Sequence, residues 1–140
     1  MKILISVDGS EHSKRAIGYL FDYRAFFDLN AKITLIHVRA KLGKLMVASV
    51  RPELIEEANA EELENAMGWA RKRFSDSRVP FEEALQFGDP SEKIIEFAQK
   101  NSFDLIIMGS RGHGTLPGML MGSTTFKILG ACKIPVLVVR

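Results

Sequence analysis

The chain has 140 residues, with 19 Lys and Arg against 17 Asp and Glu and a net charge of +2. That length suits one domain with a substantial core, and basic residues interspersed with acids argue against nucleic-acid binding. The single cysteine, Cys132, excludes an intrachain disulfide and disfavours a cysteine-built metal site.

No apolar run reaches the ~18 residues that a membrane-spanning helix needs. Met1-Lys2-Ile3-Leu4-Ile5-Ser6-Val7-Asp8 is too short and too soon interrupted to be a signal peptide. A cytoplasmic protein without a membrane partner is therefore expected.

Apolar strand-forming runs alternate with amphipathic helical stretches. Residues 3–7 read as a strand, followed by Asp8-Gly9-Ser10 and a helix beginning near Glu11, which Ser10 can cap. Ala16, Tyr19, Leu20, Tyr23 and Phe27 recur at helical spacing and are expected to face the sheet. A second strand covers residues 32–38. Residues 39–50 carry weak signals, and a long helix starts near Arg51-Pro52 with Leu63, Ala66, Ala70 and Phe74 on its inner stripe. The charge cluster from Glu53 to Glu64 reads as a solvated helix face.

Residues 81–87 form a third strand, mixed enough in polarity to suit a sheet edge. In Gly88-Asp89-Pro90, Asp89 suits the N-cap, Pro90 the first turn, and Glu92 a capping box. The next helix runs to about Lys100. Residues 104–108 and 135–139 are the fourth and fifth strands, apolar without alternation, as strands covered on both faces are. A glycine-rich loop and a short helix through Phe126 and Leu129 lie between them.

Strand–helix alternation predicts one α/β domain over residues 1–140: a doubly wound five-stranded parallel sheet in the order 3-2-1-4-5, with helices on both faces. In that order the winding reverses between strands one and four. Ligands of such sheets bind outside the carboxyl ends of the strands at the reversal. Asp8-Gly9-Ser10 and Gly109-Ser110-Arg111-Gly112 leave those two ends.

Glycines bring backbone N–H groups close to a ligand, and a helix N-terminus adds the positive end of its dipole. Gly122-Ser123-Thr124-Thr125 opens the last helix and can offer N–H groups and hydroxyls to phosphates. Gly109 and Gly114 have Walker A spacing, but Thr115-Leu116 replaces the required Lys and hydroxyl residue. No G-x-G-x-x-G follows the first strand. What fits is G-x2-G-x9-G-[S/T], at Gly109, Gly112, Gly122 and Ser123.

With that motif, Ile5-Ser6-Val7-Asp8-Gly9-Ser10, Leu35-Ile36-His37-Val38, Gly88-Asp89-Pro90 and Pro135-Val136-Leu137-Val138-Val139, nearly the whole chain resembles the nucleotide-binding branch of the universal stress protein family. The resemblance implies five parallel strands, frequent homodimers, and ATP bound by members carrying the glycine motif. It implies that Asp8, with Ser6 beside it, and the backbone around Val38 meet the adenosine. Met108, Gly109 and Gly112 would approach the ribose and first phosphate, Gly122, Ser123, Thr124 and Thr125 the phosphates, with Arg111 a further nucleotide-binding candidate. One departure is the loop interior: residues 113–121 hold no Lys or Arg, where family members often carry basic residues.

The expected function is an ATP-binding regulatory or stress-response module with at most slow hydrolysis, and the expected cofactor is ATP or another adenine nucleotide together with Mg²⁺. The alternatives are a nucleotide hydrolase or nucleotidyl-transfer enzyme of related fold, and a nucleotide-free interaction domain. No catalytic residue or protein metal ligand is assigned, because no triad, carboxylate pair or H-x-x-x-H site lies near the loop. His37 reads as a satisfied structural histidine and His12 as solvent-facing; His113 is a possible phosphate contact, Gly114 and Gly118 equally shapers of a surface loop. Lys41 and Lys44 stand where a lid over phosphates, or a plain surface loop, would lie. The last strand, between Pro135 and Arg140, is an uncharged edge at Val136-Leu137-Val138-Val139, which predicts a symmetric homodimer through strand pairing.

Overall fold

Strands joined through helices return to the same end of the sheet before pairing, so they pair in parallel. The computed structural model describes residues 1–27, 30–40, 49–114, 118 and 120–140. Strands β1 (Lys2–Ser6), β2 (Lys32–Arg39), β3 (Glu82–Phe87), β4 (Leu105–Gly109) and β5 (Val136–Val139) form one parallel sheet in the order β3-β2-β1-β4-β5. The expected architecture and strand order hold. Helices α1 (Glu11–Asp22), α2 (Pro52–Asp76), α3 (Pro90–Lys100) and α4 (Ser123–Ala131) cover its two faces, and a 3₁₀ turn at Arg24–Phe26 follows α1. Lys41 and Lys44 lie outside the described residues.

Successive strand residues point to opposite faces, and the core divides accordingly. On one face Ile3, Ile5, Ile33, Leu35 and Ile107 meet Ala16, Ile17 and Leu20 of α1 and Ala66, Met67, Ala70 and Phe74 of α2. On the other, Leu4, Ile36, Ile106 and Met108 meet Ile94 and Ala98 of α3 and Ile128 of α4. Phe74 has no exposed surface and lies between the rings of Phe21 and Phe81, with centroids 4.9 and 5.2 Å away.

Helix starts follow the local signals. The Ser10 hydroxyl accepts the Ser13 N–H at 3.2 Å, and Asp89 accepts the Glu92 N–H at 3.1 Å with Pro90 in the first turn. Asp89 also accepts the Ser91 hydroxyl and the Lys127 ammonium, the latter at 3.2 Å. The Ser91 hydroxyl, the Glu92 N–H and Lys127, in that order, hold the Asp89 carboxyl down to about 2.

Two expectations need correction. Tyr23, placed on the inner stripe of the first helix, is 45% exposed because the helix ends at Asp22 and Tyr23 is its C-cap. Ile17 takes an inner place instead, one turn from Ile17's stripe neighbours Ser13 and Leu20. Arg39, assigned to the weakly patterned segment, closes β2 and is 7% exposed. Glu62 neutralises it there, its Oε2 accepting from Nε at 2.7 Å, and the Asn59 side-chain oxygen accepts a second guanidinium hydrogen bond.

Two outcomes are expected. Phe74→Ala should lower unfolding free energy by about 3–5 kcal/mol, read from the urea midpoint. Asp89→Ala should cost about 1 kcal/mol near neutral pH. Because folding lowers the Asp89 carboxyl from 3.8 to about 2, its contribution is complete above 3.8 and fades as the pH falls toward about 2. The gap between wild type and Asp89→Ala should therefore narrow over that interval in urea titrations.

Candidate functional site

The chain leaves β1 for α1 on one face and leaves β4 for α4 on the other. The diverging connections leave a cleft of about 630 Å³ over the carboxyl ends of β1, β2 and β4. Ser6, Asp8, Val38, Met108, Gly109, Arg111, Gly112, Gly122, Ser123, Thr124 and Thr125, the residues singled out from the sequence, all line it. His113 and Gly114 do too.

Close packing explains two of the glycines. A Cβ at Gly109 would stand 2.6 Å from the carbonyl carbon of His12, so only glycine lets the end of β4 pass beneath α1. A Cβ at Gly112 would stand 2.5 Å from Oδ2 of Asp8. The Asp8 carboxylate thus abuts the loop after β4, while its Oδ1 accepts the Ser10 N–H at 2.9 Å and shapes the turn after β1. His12, expected to face solvent, is half-buried by this contact, with Nδ1 shielded from water and no partner among the described residues.

The opening of α4 is organised differently from expectation. Gly122 is the N-cap, Ser123 is the first residue of the helix, and no side chain caps this end. The Gly122 N–H is not available to a phosphate, because it is donated to the Ser110 carbonyl at 2.8 Å. Thr125 is 2% exposed and its hydroxyl donates to the Gly109 carbonyl at 3.1 Å, tying α4 to β4. Ser123 and Thr124 remain at the mouth, in a first turn whose N–H groups have no acceptor within the helix.

The cleft is polar in a graded way. Arg111 is the one lysine or arginine among its described lining residues and stands on the glycine-loop side. Asp8, Glu61, Glu62 and Asn65 line the rest of the wall. Glu61 and Glu62, read from the sequence as part of a solvated face, are exposed, and Glu62 also pairs with the buried guanidinium of Arg39. A strand that ends His37-Val38-Arg39 was the available signal, since a buried arginine demands a carboxylate. His37 is satisfied on one side only: Nδ1 bonds the Val7 carbonyl at 2.8 Å, whereas Nε2 is buried without a hydrogen-bond partner among the described residues.

No group of three or more His, Cys, Asp or Glu among the described residues could hold a metal ion, and no described helix is long and apolar enough to cross a membrane. Cys132 is half-buried against the second core cluster.

The family model of the Universal stress protein family matches residues 1–140. Universal stress protein MJ0531 of Methanocaldococcus jannaschii is 32% identical over 140 residues, covering 99% of this chain and 81% of that protein. The solved structure of protein MJ0577, from the same organism, is 30% identical, with a TM-score of 0.77, covering 99% of this chain and 94% of that one. An Arabidopsis thaliana protein of the family, with AMP bound, shares the fold at a TM-score of 0.71 and 19% identity, covering 99% of this chain and 90% of that one.

The two hydroxyl residues of α4 should separate on substitution. Thr125→Val leaves the Gly109 carbonyl without its donor and should cost about 1–3 kcal/mol. Ser123→Ala removes no cap and should stay within about 0.5 kcal/mol in the same denaturation assay.

Proposed function

This chain belongs to the universal stress protein family, and we propose that it is an ATP-binding member of that family, acting as a regulatory stress-response module rather than as a dedicated enzyme. The observation that carries this is the end of the cleft where Arg111, the glycine loop and the uncapped first turn of α4 meet. Free N–H groups at a helix N-terminus beside one cation suit a phosphate chain. Asp8, a lining residue whose Oδ2 lies beside Gly112, suits ribose hydroxyls, which donate to it. Val38 and Met108 supply apolar wall for the base. A protein of the same fold holds AMP, which supports an adenine nucleotide as the ligand class.

Mg²⁺ accompanying the nucleotide would take its ligands from the phosphates and water, since no ready-made protein cluster is found among the described residues. Hydrolysis is slow in this proposal. Positioning and a bound Mg²⁺ supply much of phosphoryl-transfer catalysis, but among the described residues neither Asp8 nor His113 has a partner arrangement that would activate water.

The protein is proposed to work as a homodimer. β5 is an outer strand of the sheet, pairs only with β4 among the described strands, and carries no charge from Val136 to Val139. An uncharged edge of this kind accepts a second strand. Phe126, 72% exposed, adds apolar surface on the helix that precedes it.

Freshly purified protein, denatured and filtered, should release an adenine nucleotide detected chromatographically. Calorimetric titration with ATP and Mg²⁺ should show binding, and an empty filtrate with no calorimetric signal would overturn the proposal. Gly112→Ala, which pushes a methyl group onto Asp8, should weaken that binding by on the order of tenfold, about one lost charge-assisted hydrogen bond. Turnover should stay below about 1 s⁻¹, the low end of ordinary enzymes. Sedimentation should find a dimer at micromolar concentration; a monomer would remove the assembly claim.

A further inference from the structure

The wall of the cleft on the β2 side contains two hydrogen-bond acceptors with no donor between them among the described residues. Nδ1 of His37 lies 2.8 Å from the Val7 carbonyl oxygen. A carbonyl oxygen only accepts, so Nδ1 carries the hydrogen and Nε2 of the neutral ring presents a lone pair. The His37 side chain is more than nine-tenths buried, and its Nε2 has no partner among the described residues. Oε1 of Glu62 lies 3.8 Å from that nitrogen, beyond hydrogen-bonding reach. Glu62 is itself held in place from behind: its other oxygen accepts from buried Arg39 at 2.7 Å, and Arg39 is braced by Asn59. About half of the Glu62 side chain is exposed, and both residues line the cleft.

An imidazole lone pair beside a carboxylate oxygen repels unless a donor joins them, and leaving a buried acceptor unmet costs free energy. A group with two N–H bonds would satisfy both atoms at once. The sheet dictates which part of a nucleotide arrives here. With phosphates at the loop after β4 and the opening of α4, the ligand crosses β1 at Asp8 and reaches β2, where His37 stands. Neighbouring strands lie about 4.8 Å apart, so two steps make ~10 Å. That is about the reach from a nucleotide's first phosphate to the far edge of its base.

We infer that Glu62 and His37 form a receptor for the exocyclic amine of the nucleobase and select a 6-aminopurine over a 6-oxopurine. This rests on the nucleotide-binding function proposed above. Adenine presents N–H₂ to the two acceptors. Hypoxanthine presents a keto oxygen at the same position, which would face the Glu62 carboxylate and the His37 lone pair with no hydrogen to share. A site built to meet a donor discriminates strongly against an analogue that lacks it. Arg39 and Asn59 act through Glu62 and are positioning residues.

The test compares ATP with ITP, both with Mg²⁺, by calorimetry on the full chain. Wild type should bind ATP more tightly by on the order of tenfold, the worth of one hydrogen bond to a charged acceptor. In Glu62→Gln the amide can turn its own N–H₂ toward a keto oxygen, so the ATP-to-ITP preference should shrink at least about fivefold. His37→Gln should shrink it in the same direction. The ratio within one protein cancels general damage to folding or to the phosphate end. Equal affinity of wild type for ATP and ITP would overturn the inference and leave nucleotide binding intact. So would an unchanged ratio in both variants, which would make Arg39–Glu62 a structural ion pair and assign base selection elsewhere. Failure of wild type to bind either nucleotide would overturn the function proposed above together with this inference.

Discussion

The central strand β1 is paired on both sides, to β2 from Lys2 to Ser6 and to β4 from Ile3 to Ile5, and Ile3, Leu4 and Ile5 have no exposed surface. Everything functional hangs from its carboxyl end. The backbone continues the β2 ladder through the Val7 N–H, which bonds the Ile36 carbonyl at 2.9 Å, and then turns away at Asp8 toward α1. On the other side, β4 delivers its chain to the opposite face. Two connections that part company above adjacent strands cannot fill the space between them, and that gap is the cleft.

What surrounds the gap is held by contacts within the protein. The end of β4 is pressed against α1 at Gly109, the following loop against Asp8 at Gly112, and α4 is tied back through Thr125 and Gly122. Such a loop is ordered by its own packing in the parts described, which reduces the cost of ordering it around a ligand. The same packing decides which groups stay available. Gly122 and Thr125 spend their donors on carbonyls, leaving Ser123, Thr124 and Arg111 at the mouth. Across the cleft, Arg39 donates to one oxygen of Glu62 and the Val7 carbonyl takes the Nδ1 hydrogen of His37, so that among the described residues Glu62 Oε1 and His37 Nε2 have no donor. One side therefore supplies donors and positive charge, and the other supplies acceptors and negative charge. A ligand with an anionic end and a donor-bearing end fits that gradient in one orientation.

The elements were legible in the chain because their signals are local. Asp89-Pro90 caps α3 through a bond spanning three residues, and the unbroken apolar runs of β1 and β4 announce strands covered on both faces. The misreadings came where distant residues intervene. Tyr23 has helical spacing, but the helix stops one residue before it. Arg39 reads as polar and loop-like until Glu62 and Asn59, twenty or more residues on, turn it into a buried strand terminus.

The candidate site divides along the same line. The strand order, the reversal between β1 and β4, and the residues that gather there follow from the order of residues alone, because strand–helix alternation and the spacing of glycines are patterns within short stretches of chain. Only the tertiary structure decided which groups there are spent and which are left open: that Thr125 ties β4 to α4, that Gly122 caps, and that Glu62 belongs to the cleft wall. Hydrogen bonds between segments far apart in sequence make those assignments, and the pairing of one donor with one distant acceptor leaves no periodic trace in the order of residues.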